Sequence, residues 1–181
     1  MRIDLPGGAR LRPFEESDAG ELFALTDGNR AHLEPWLPWV PHITSPDDSL
    51  DFIRATRRQL DEDAGMQLAL VDADGAIAGV AGFHGFDWQN RATTIGYWLA
   101  ADRQGRGLMT AAVRALVAHA FDERELHRIE IAAAVGNARS RAIPERLGFR
   151  VEGVRRDGER HGERYLDLVV YALLSTDPRP S

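Results

Sequence analysis

The chain of 181 residues contains no cysteine and no lysine, and each absence removes a class of chemistry. Without cysteine there is no disulfide, no thiolate metal site and no cysteinyl acyl-enzyme intermediate. Without lysine there is no P-loop, because the GxxxxGK[ST] motif needs that residue. All 22 basic residues are arginine, so only arginine, a good bidentate partner for phosphate, is available as a long cation for anion recognition.

Long apolar runs are also missing. No stretch is long enough to span a bilayer, and the first residues lack the apolar core of a signal peptide, so we expect no membrane association and a cytoplasmic location. The net charge of −6 argues against nucleic-acid binding and suits a cationic acceptor such as an amine or a basic peptide. The length and the hydrophobic content of 44% predict one globular domain over residues 1–181.

The order of the predicted elements indicates an α/β fold. A first strand near residues 9–14 precedes a helix that opens near Ser17, and a proline-rich segment leads to a second helix capped by Ser45. Three strands then form an antiparallel meander that ends with TTIGYWLA. A helix, a strand, a short helix and two more strands follow, with residues 157–163 as a polar loop. This order predicts a mostly antiparallel mixed sheet of about seven strands, flanked by helices on both faces.

A glycine-rich turn, DRQGRGLMT at residues 102–110, joins the strand TTIGYWLA to an amphipathic helix. Glycines admit a close approach to the backbone, and free amides at a helix start attract anions. A dinucleotide-binding G-x-G-x-x-G motif would need a glycine at Thr110, and too little chain follows for that fold. The turn therefore favours a pyrophosphate held by consecutive backbone amides.

Four stretches, in the same order and over nearly the whole chain, resemble the GNAT superfamily of acyl-CoA N-acyltransferases and, within it, the RimJ/RimL group: HLEPWLPW, IGYWLAADRQGRGLMTAA, HRIEIAAAVGNARSRAIPERLGF and EGVRRDGE…YLDLVVYAL. That group resembles enzymes that acetylate protein N-terminal amines. The resemblance implies the GNAT fold, acetyl-CoA as cosubstrate and direct transfer to a primary amine in a ternary complex. The expected acceptor is a protein or peptide N-terminus, with a ribosomal protein as one case. A small-molecule amine and a non-catalytic acyl-CoA-binding module are the alternatives, and a homodimer is expected.

The resemblance also implies where the cofactor binds. The backbone near Leu99 would pair with the pantetheine arm and polarise the thioester carbonyl. The superfamily usually has glutamine or arginine three residues before the first glycine, where this chain has Asp102, so Arg103 and Arg106 are expected to supply positive charge. The pyrophosphate would be held by the backbone amides of the whole turn, namely Gln104, Gly105, Arg106, Gly107, Leu108, Met109 and Thr110.

Candidates for proton transfer follow from the chemistry, because the attacking amine must lose a proton and the departing thiolate needs an acid. The spacing of Asn137 and Ser140 puts both on one helix face, and the resemblance implies that this face lies near the cofactor sulfur, with Ser140 as the thiolate donor and Asn137 as an orienting group. The alternatives are a helix cap for Asn137 and an ordinary helix-surface residue for Ser140. The resemblance implies Glu159, six residues after Gly153, as the base. A water relay is the alternative, and Thr94 stands where the group often has glutamate.

Two tryptophans and three histidines complete the candidates. Trp36 and Trp39 lie in the proline-rich segment that lines the acceptor entrance in this family. Fixing that segment to the core is their alternative role. His84, His119 and His127 show no metal-ligand spacing, so we expect no metal.

Overall fold

In the computed structural model, residues 2–179 are described, and they form one mixed sheet of eight strands in the order β1-β2-β3-β4-β5-β6-β8-β7. All neighbouring strands are antiparallel except β5 and β6. The mixed α/β architecture is confirmed, whereas the expected count of about seven strands missed the two-residue β1, which is too short for a pattern. The strands are β1 (Ile3–Asp4), β2 (Arg10–Pro13), β3 (Met66–Val71), β4 (Ile77–Asp87), β5 (Ala92–Leu99), β6 (Arg128–Ala134), β7 (Arg150–His161) and β8 (Arg164–Leu174).

Helices cover both faces of the sheet, as predicted. The start of α3 is confirmed, because Ser45 accepts a hydrogen bond from the Asp48 amide and the Asp48 carboxylate accepts one from the Ser45 amide. No helix of the described part of the chain is both long and apolar enough to cross a membrane. The helices are α1 (Ala19–Gly28), α2 (Arg30–Leu33), α3 (Pro46–Asp61), α4 (Leu108–Ala118) and α5 (Ala138–Arg146).

The sheet separates two hydrophobic cores. On one face, α4 packs Met109, Val113 and Leu116 against the sheet. On the other face, Leu22 of α1 and Ile53 of α3 do the same. Side chains alternate between the two faces along a strand. The face of each strand residue, either the α4 face or the α1–α3 face, therefore follows from which of its neighbours lie in each core.

The sheet splits between β5 and β6, which creates a cleft. The parallel pairing of these strands covers only Ala92–Thr94 and Arg128–Glu130. From Ile95 to Leu99, β5 pairs with β4 on one side, and no strand among residues 2–179 pairs with its other edge. That edge therefore offers backbone donors and acceptors to a ligand in the cleft.

Residues 157–163, predicted to be a polar loop, belong mostly to a β-hairpin. Strand β7 continues to His161, and β8 begins at Arg164. Glu159 thus lies on β7, opposite Leu166 of β8. The loop prediction was wrong because β7 is an edge strand that is exposed along most of its length. Such a strand carries polar residues without the alternation that marks a half-buried strand.

Candidate active site

The glycine turn presents a row of backbone amides at the start of α4. Gly105 and Gly107 have φ values of 78° and 75°, the left-handed region that disfavours other residues. Within the described chain, the amides of residues 105–110 donate to no backbone carbonyl, whereas the amide of Gln104, which the sequence analysis includes in the row, donates to the Ala101 carbonyl at 3.4 Å. A Cβ added at either glycine would meet no atom within 4 Å, so the space over the turn is open. Free donors at a helix N-terminus that face open space fit a pyrophosphate.

Ion pairs anchor this turn to the β3–β4 connection. Arg103 Nη1 lies 2.8 Å from Asp72 Oδ2 and 2.7 Å from Asp74 Oδ2. Arg106 Nη2 lies 3.2 Å from Asp72 Oδ2, and 53% of its side chain stays exposed. The hydrogen bonds from the Ala73 amide and from Arg103 lower the pKa of Asp72. Since Arg103 is already paired twice, the backbone amides and the more exposed Arg106 are the better candidates for phosphate contact.

Gln104 and Thr110 join the turn to neighbouring helices. Gln104 Nε2 lies 2.9 Å from His32 Nε2 on α2, and Gln104 Oε1 accepts a hydrogen bond from Arg139 in α5. The Thr110 hydroxyl accepts a hydrogen bond of 2.9 Å from Arg146, also in α5. Arg139 and Arg146 are therefore two further cations beside the turn. No local sequence signal singled them out, because they reach the turn only through the packing of α5.

The first turn of α5 carries Asn137 and Ser140 beside the cleft. Asn137 Oδ1 accepts a hydrogen bond of 3.1 Å from the Ser140 amide, so Asn137 caps the helix. Tyr97 lies on the part of β5 whose edge toward the cleft is free. Its phenol donates to the Ser140 carbonyl at 2.9 Å. The Ser140 hydroxyl lies 3.4 Å from that phenol oxygen. Burial raises the pKa of Tyr97 far above its ordinary value, so the phenol stays protonated.

Glu159 lies on the other face of the sheet. Its partner across the β7–β8 ladder is Leu166. Along β8, Val169 and Tyr171 point to the core on the α4 face, so Leu166, which is an odd number of residues away, points to the other face. Glu159 therefore projects on the α1–α3 face. Its Oε2 lies 2.9 Å from Nε2 of His161, which is buried. The predicted thiolate donor and the predicted base thus approach the cleft from opposite faces of the sheet.

His84, which the sequence analysis weighs only as a metal ligand, lies on the same face of the sheet as Glu159. Gln67 Nε2 lies 3.2 Å from His84 Nδ1 and 3.1 Å from the Phe83 carbonyl. An amide nitrogen only donates, so Nδ1 accepts and the neutral ring carries its proton on Nε2. Desolvation lowers the pKa of His84, and the nearby Glu159 charge opposes that shift. A Cβ at Gly96 would lie 1.9 Å from His84 Nε2, which explains why a glycine faces the ring.

A groove opens between the proline-rich segment and the tip of the β7–β8 hairpin. Its volume is about 240 Å³. His161 both lines this groove and contacts Glu159, so the groove leads to the predicted base. The lining residues are Glu34, Pro38, Pro41, His161, Gly162 and Arg164.

Trp36 and Trp39 hold the proline-rich segment against the sheet. A Cβ at Gly136 would come within 3.5 Å of the Trp36 ring, directly before the cap of α5. The Trp39 ring centroid lies 6.0 Å from that of Trp98 on β5. Both tryptophans therefore fix the segment, and their contact with an acceptor stays a prediction.

The two other histidines of the sequence analysis make local contacts. His119 Nδ1 lies 3.0 Å from Glu123 Oε2 in a π-helical turn after α4, and His127 Nδ1 lies 3.0 Å from the Ser175 hydroxyl. Across the residues that the structure describes, no cluster of His, Asp and Glu could hold a metal ion.

Comparison with known proteins places the chain in a family. Residues 9–150 match the acetyltransferase (GNAT) domain. The YdaF protein of Bacillus subtilis (strain 168) is 40% identical over 168 residues, which cover 92% of this chain and 91% of that protein. The ribosomal-protein-serine acetyltransferase of Escherichia coli (strain K12) is 27% identical over 172 residues, which cover 95% and 96%.

A solved structure extends the likeness to the fold. The structure of RimL, a ribosomal L7/L12 alpha-N-protein acetyltransferase in complex with coenzyme A, superimposes with a TM-score of 0.92 at 27% identity. The match covers 96% of this chain and 98% of that one. The resemblance drawn from the four sequence stretches is confirmed, and so are acetyl-CoA as cosubstrate and acetyl transfer as the activity. The chain belongs to the GNAT family of acetyl-CoA-dependent N-acetyltransferases.

Proposed function

We propose that the protein transfers the acetyl group of acetyl-CoA to the α-amine at the N-terminus of a protein or peptide. The observation that carries the proposal is the groove of about 240 Å³ that leads past His161 to Glu159. It is open to solvent, and its walls carry charges of both signs, Glu34 and Arg164. An open groove suits a peptide chain, whereas a small polycation would favour a closed acidic pocket. The relatives named for ribosomal-protein acetylation support the same acceptor.

The cofactor side of the mechanism rests on backbone groups. The amides of residues 105–110 bind the pyrophosphate, and the free edge of β5 near Leu99 pairs with the pantetheine arm. The same edge orients the thioester, whose carbonyl develops negative charge as the amine attacks. When bound, the cofactor supplies the activated acetyl group. Neither contact depends on a particular side chain, so Asp102 at the usual glutamine or arginine position does not prevent binding.

The two residues proposed for proton transfer and thiolate stabilisation lie on opposite faces of the sheet. Glu159 accepts the proton of the attacking amine on the α1–α3 face, directly or through water. Ser140 donates to the departing thiolate on the α4 face. Separate positions for the base and the acid let the amine and the thiol enter the cleft from opposite directions. Their placement beside one cleft favours catalysis over a non-catalytic binding module.

The proposal is tested by a turnover screen with acetyl-CoA. The panel holds short peptides with free N-termini, the same peptides with blocked N-termini and one lysine, and small amines such as a polyamine, an aminoglycoside and an amino acid. We expect the highest kcat/KM with free N-termini and an acetyl group on the α-amine by mass spectrometry. A higher kcat/KM for a small amine, or equal turnover of the blocked peptides, would contradict it.

The cellular location and the oligomeric state are two related proposals, of which the comparisons support only the first. A ribosomal-protein acceptor would place the enzyme in the cytoplasm, as the sequence analysis expects. The homodimer stays a prediction, which sedimentation of the purified protein would check.

A further inference from the structure

The helix that carries Ser140 has a proline at the position whose backbone amide would normally donate to the Ser140 carbonyl. In an α-helix the carbonyl of residue i accepts from the amide of residue i+4. For Ser140 that residue is Pro144, which is buried within α5 and has no N–H to donate. Proline at this position also clashes with the carbonyl four residues earlier. The Ser140 carbonyl is therefore denied its helical partner by the sequence itself.

The phenol of Tyr97 takes the place of that missing amide. It donates to the Ser140 carbonyl at 2.9 Å, and its oxygen accepts a longer hydrogen bond of 3.4 Å from the Ser140 hydroxyl. Tyr97 belongs to the part of β5 that pairs with β4 and leaves its other edge free beside the cleft. One phenol thus contacts both the backbone and the side chain of the same residue. Burial keeps this phenol protonated, so the donor persists over the working range of pH.

A second buried phenol shows that α5 does not depend on Tyr97 alone for its attachment. Tyr171 of β8 donates to Glu145 Oε1 at 2.7 Å and accepts from Arg141 Nε at 2.9 Å. Both partners are α5 side chains, and neither contact touches Ser140. The two tyrosines therefore separate two effects: Tyr171 attaches the helix, and Tyr97 fixes one residue of it.

We infer that Tyr97 is a positioning residue for Ser140. Its hydroxyl replaces the amide that Pro144 lacks, and its oxygen accepts a long hydrogen bond that holds the Ser140 hydroxyl at the cleft. When the thiolate departs, the Ser140 hydroxyl turns its proton from the phenol to the sulfur. The inference rests on the role proposed for Ser140. Tyr97 does not release a proton in this scheme, because its proton stays on the phenol oxygen and is donated as a hydrogen bond to the Ser140 carbonyl. Ser140 also keeps its proton: its hydroxyl donates a hydrogen bond that stabilises the departing thiolate, which takes a proton from solvent after it leaves.

A double-mutant cycle tests this inference with whichever amine the turnover screen identifies as the acceptor. Tyr97→Phe should lower kcat about 10- to 100-fold, since small misplacements of a reacting group have effects of that size. Acetyl-CoA affinity, measured by calorimetry, should change by less than about twofold. Ser140→Ala should lower kcat further, and adding Tyr97→Phe to it should have no additional effect. The control Tyr171→Phe should retain kcat within about twofold.

Three kinetic results would overturn the inference: losses of kcat that multiply in the double variant, an equal loss of kcat in Tyr171→Phe, or an unchanged kcat in Ser140→Ala.

A separate measurement, of stability, needs no turnover. Tyr97→Phe should lower the free energy of unfolding in urea, and Pro144→Ala, which restores the missing amide, should reduce that loss. If Pro144→Ala leaves the loss unchanged, the phenol does not replace the amide. Failure of the peptide preference alone would reject the proposed acceptor and leave this cycle intact.

Discussion

Glu159 and the buried His161 form a carboxylate–imidazole pair, and His161 lines the groove beside the proline-rich segment. Neither residue lies in a motif as conspicuous as the glycine turn. Glu159 either accepts the amine proton as a base or has only a structural role. The pH dependence of kcat/KM in a Glu159 variant distinguishes the two roles.

Glu159→Gln should lower kcat/KM most at low pH, because the acceptor amine is protonated there and must lose a proton before it can attack. At high pH the amine is already neutral, so the variant should approach the wild-type rate. The measurement is a pH profile of kcat/KM with one good acceptor. Glu163→Gln, which removes an exposed carboxylate at the same hairpin tip, is the control and should follow the wild-type profile. A wild-type profile for Glu159→Gln would transfer the role to a water relay.

The contact of His84 with Gly96 gives a second prediction at this scale. Gly96→Ala should cost about 1–3 kcal/mol of unfolding free energy, because its Cβ would lie 1.9 Å from His84 Nε2 and Gln67 restrains the ring. Removing the ring in Gly96→Ala/His84→Ala should recover most of that loss. Gly85→Ala is the control, since its Cβ would meet its nearest atom at 3.5 Å. Urea unfolding decides it: a double variant as unstable as Gly96→Ala would mean that the ring is not the obstacle.

At the scale of elements, the turn before α4 and the first turn of α5 would border the proposed cofactor path from two sides. Gly105→Glu should abolish acetyl-CoA binding, because a side chain and a negative charge would occupy the space over the free amides. Gly7→Glu is a matched control: Gly7 has the same φ of 78° as Gly105 and equally open surroundings, but it precedes β2. It should suffer the same backbone strain and keep its affinity. Calorimetry with acetyl-CoA distinguishes the two, and unchanged affinity in Gly105→Glu would remove the pyrophosphate site.

The elements also show which parts of the fold the sequence could predict. The start of α3 was predictable because Ser45 and Asp48 make contacts within one turn of chain. The course of β7 was not, since an exposed edge strand carries little periodic signal. The contacts of Tyr97 and His84 were not predictable for a different reason, although the sequence analysis weighs His84 as a metal ligand. Their roles arise from partners 43 and 17 residues away, which only the folded sheet brings together.

At the scale of the whole molecule, the chain has no cysteine to carry an acyl group, and its base and acid candidates lie on opposite faces of one cleft. We therefore expect both substrates to be bound before transfer. Initial rates should give intersecting lines, and mass spectrometry after mixing with acetyl-CoA alone should find no acetyl adduct needed for turnover. Because there is no lysine, no ε-amine can confuse that measurement. Parallel lines with a competent adduct would contradict direct transfer.

The short β5–β6 ladder has a consequence for stability as well as for chemistry. Only Ala92–Thr94 and Arg128–Glu130 pair directly across the middle of the sheet, so the two halves of the sheet share few backbone bonds. A pantetheine arm lying along Ile95–Leu99 would act as a short ninth strand that closes the seam. The cosubstrate would then be part of the scaffold, and a ligand present at a hundred times its Kd adds about 2.7 kcal/mol to folding. In a cell rich in acetyl-CoA, the folded population of this enzyme would follow the supply of its own cosubstrate.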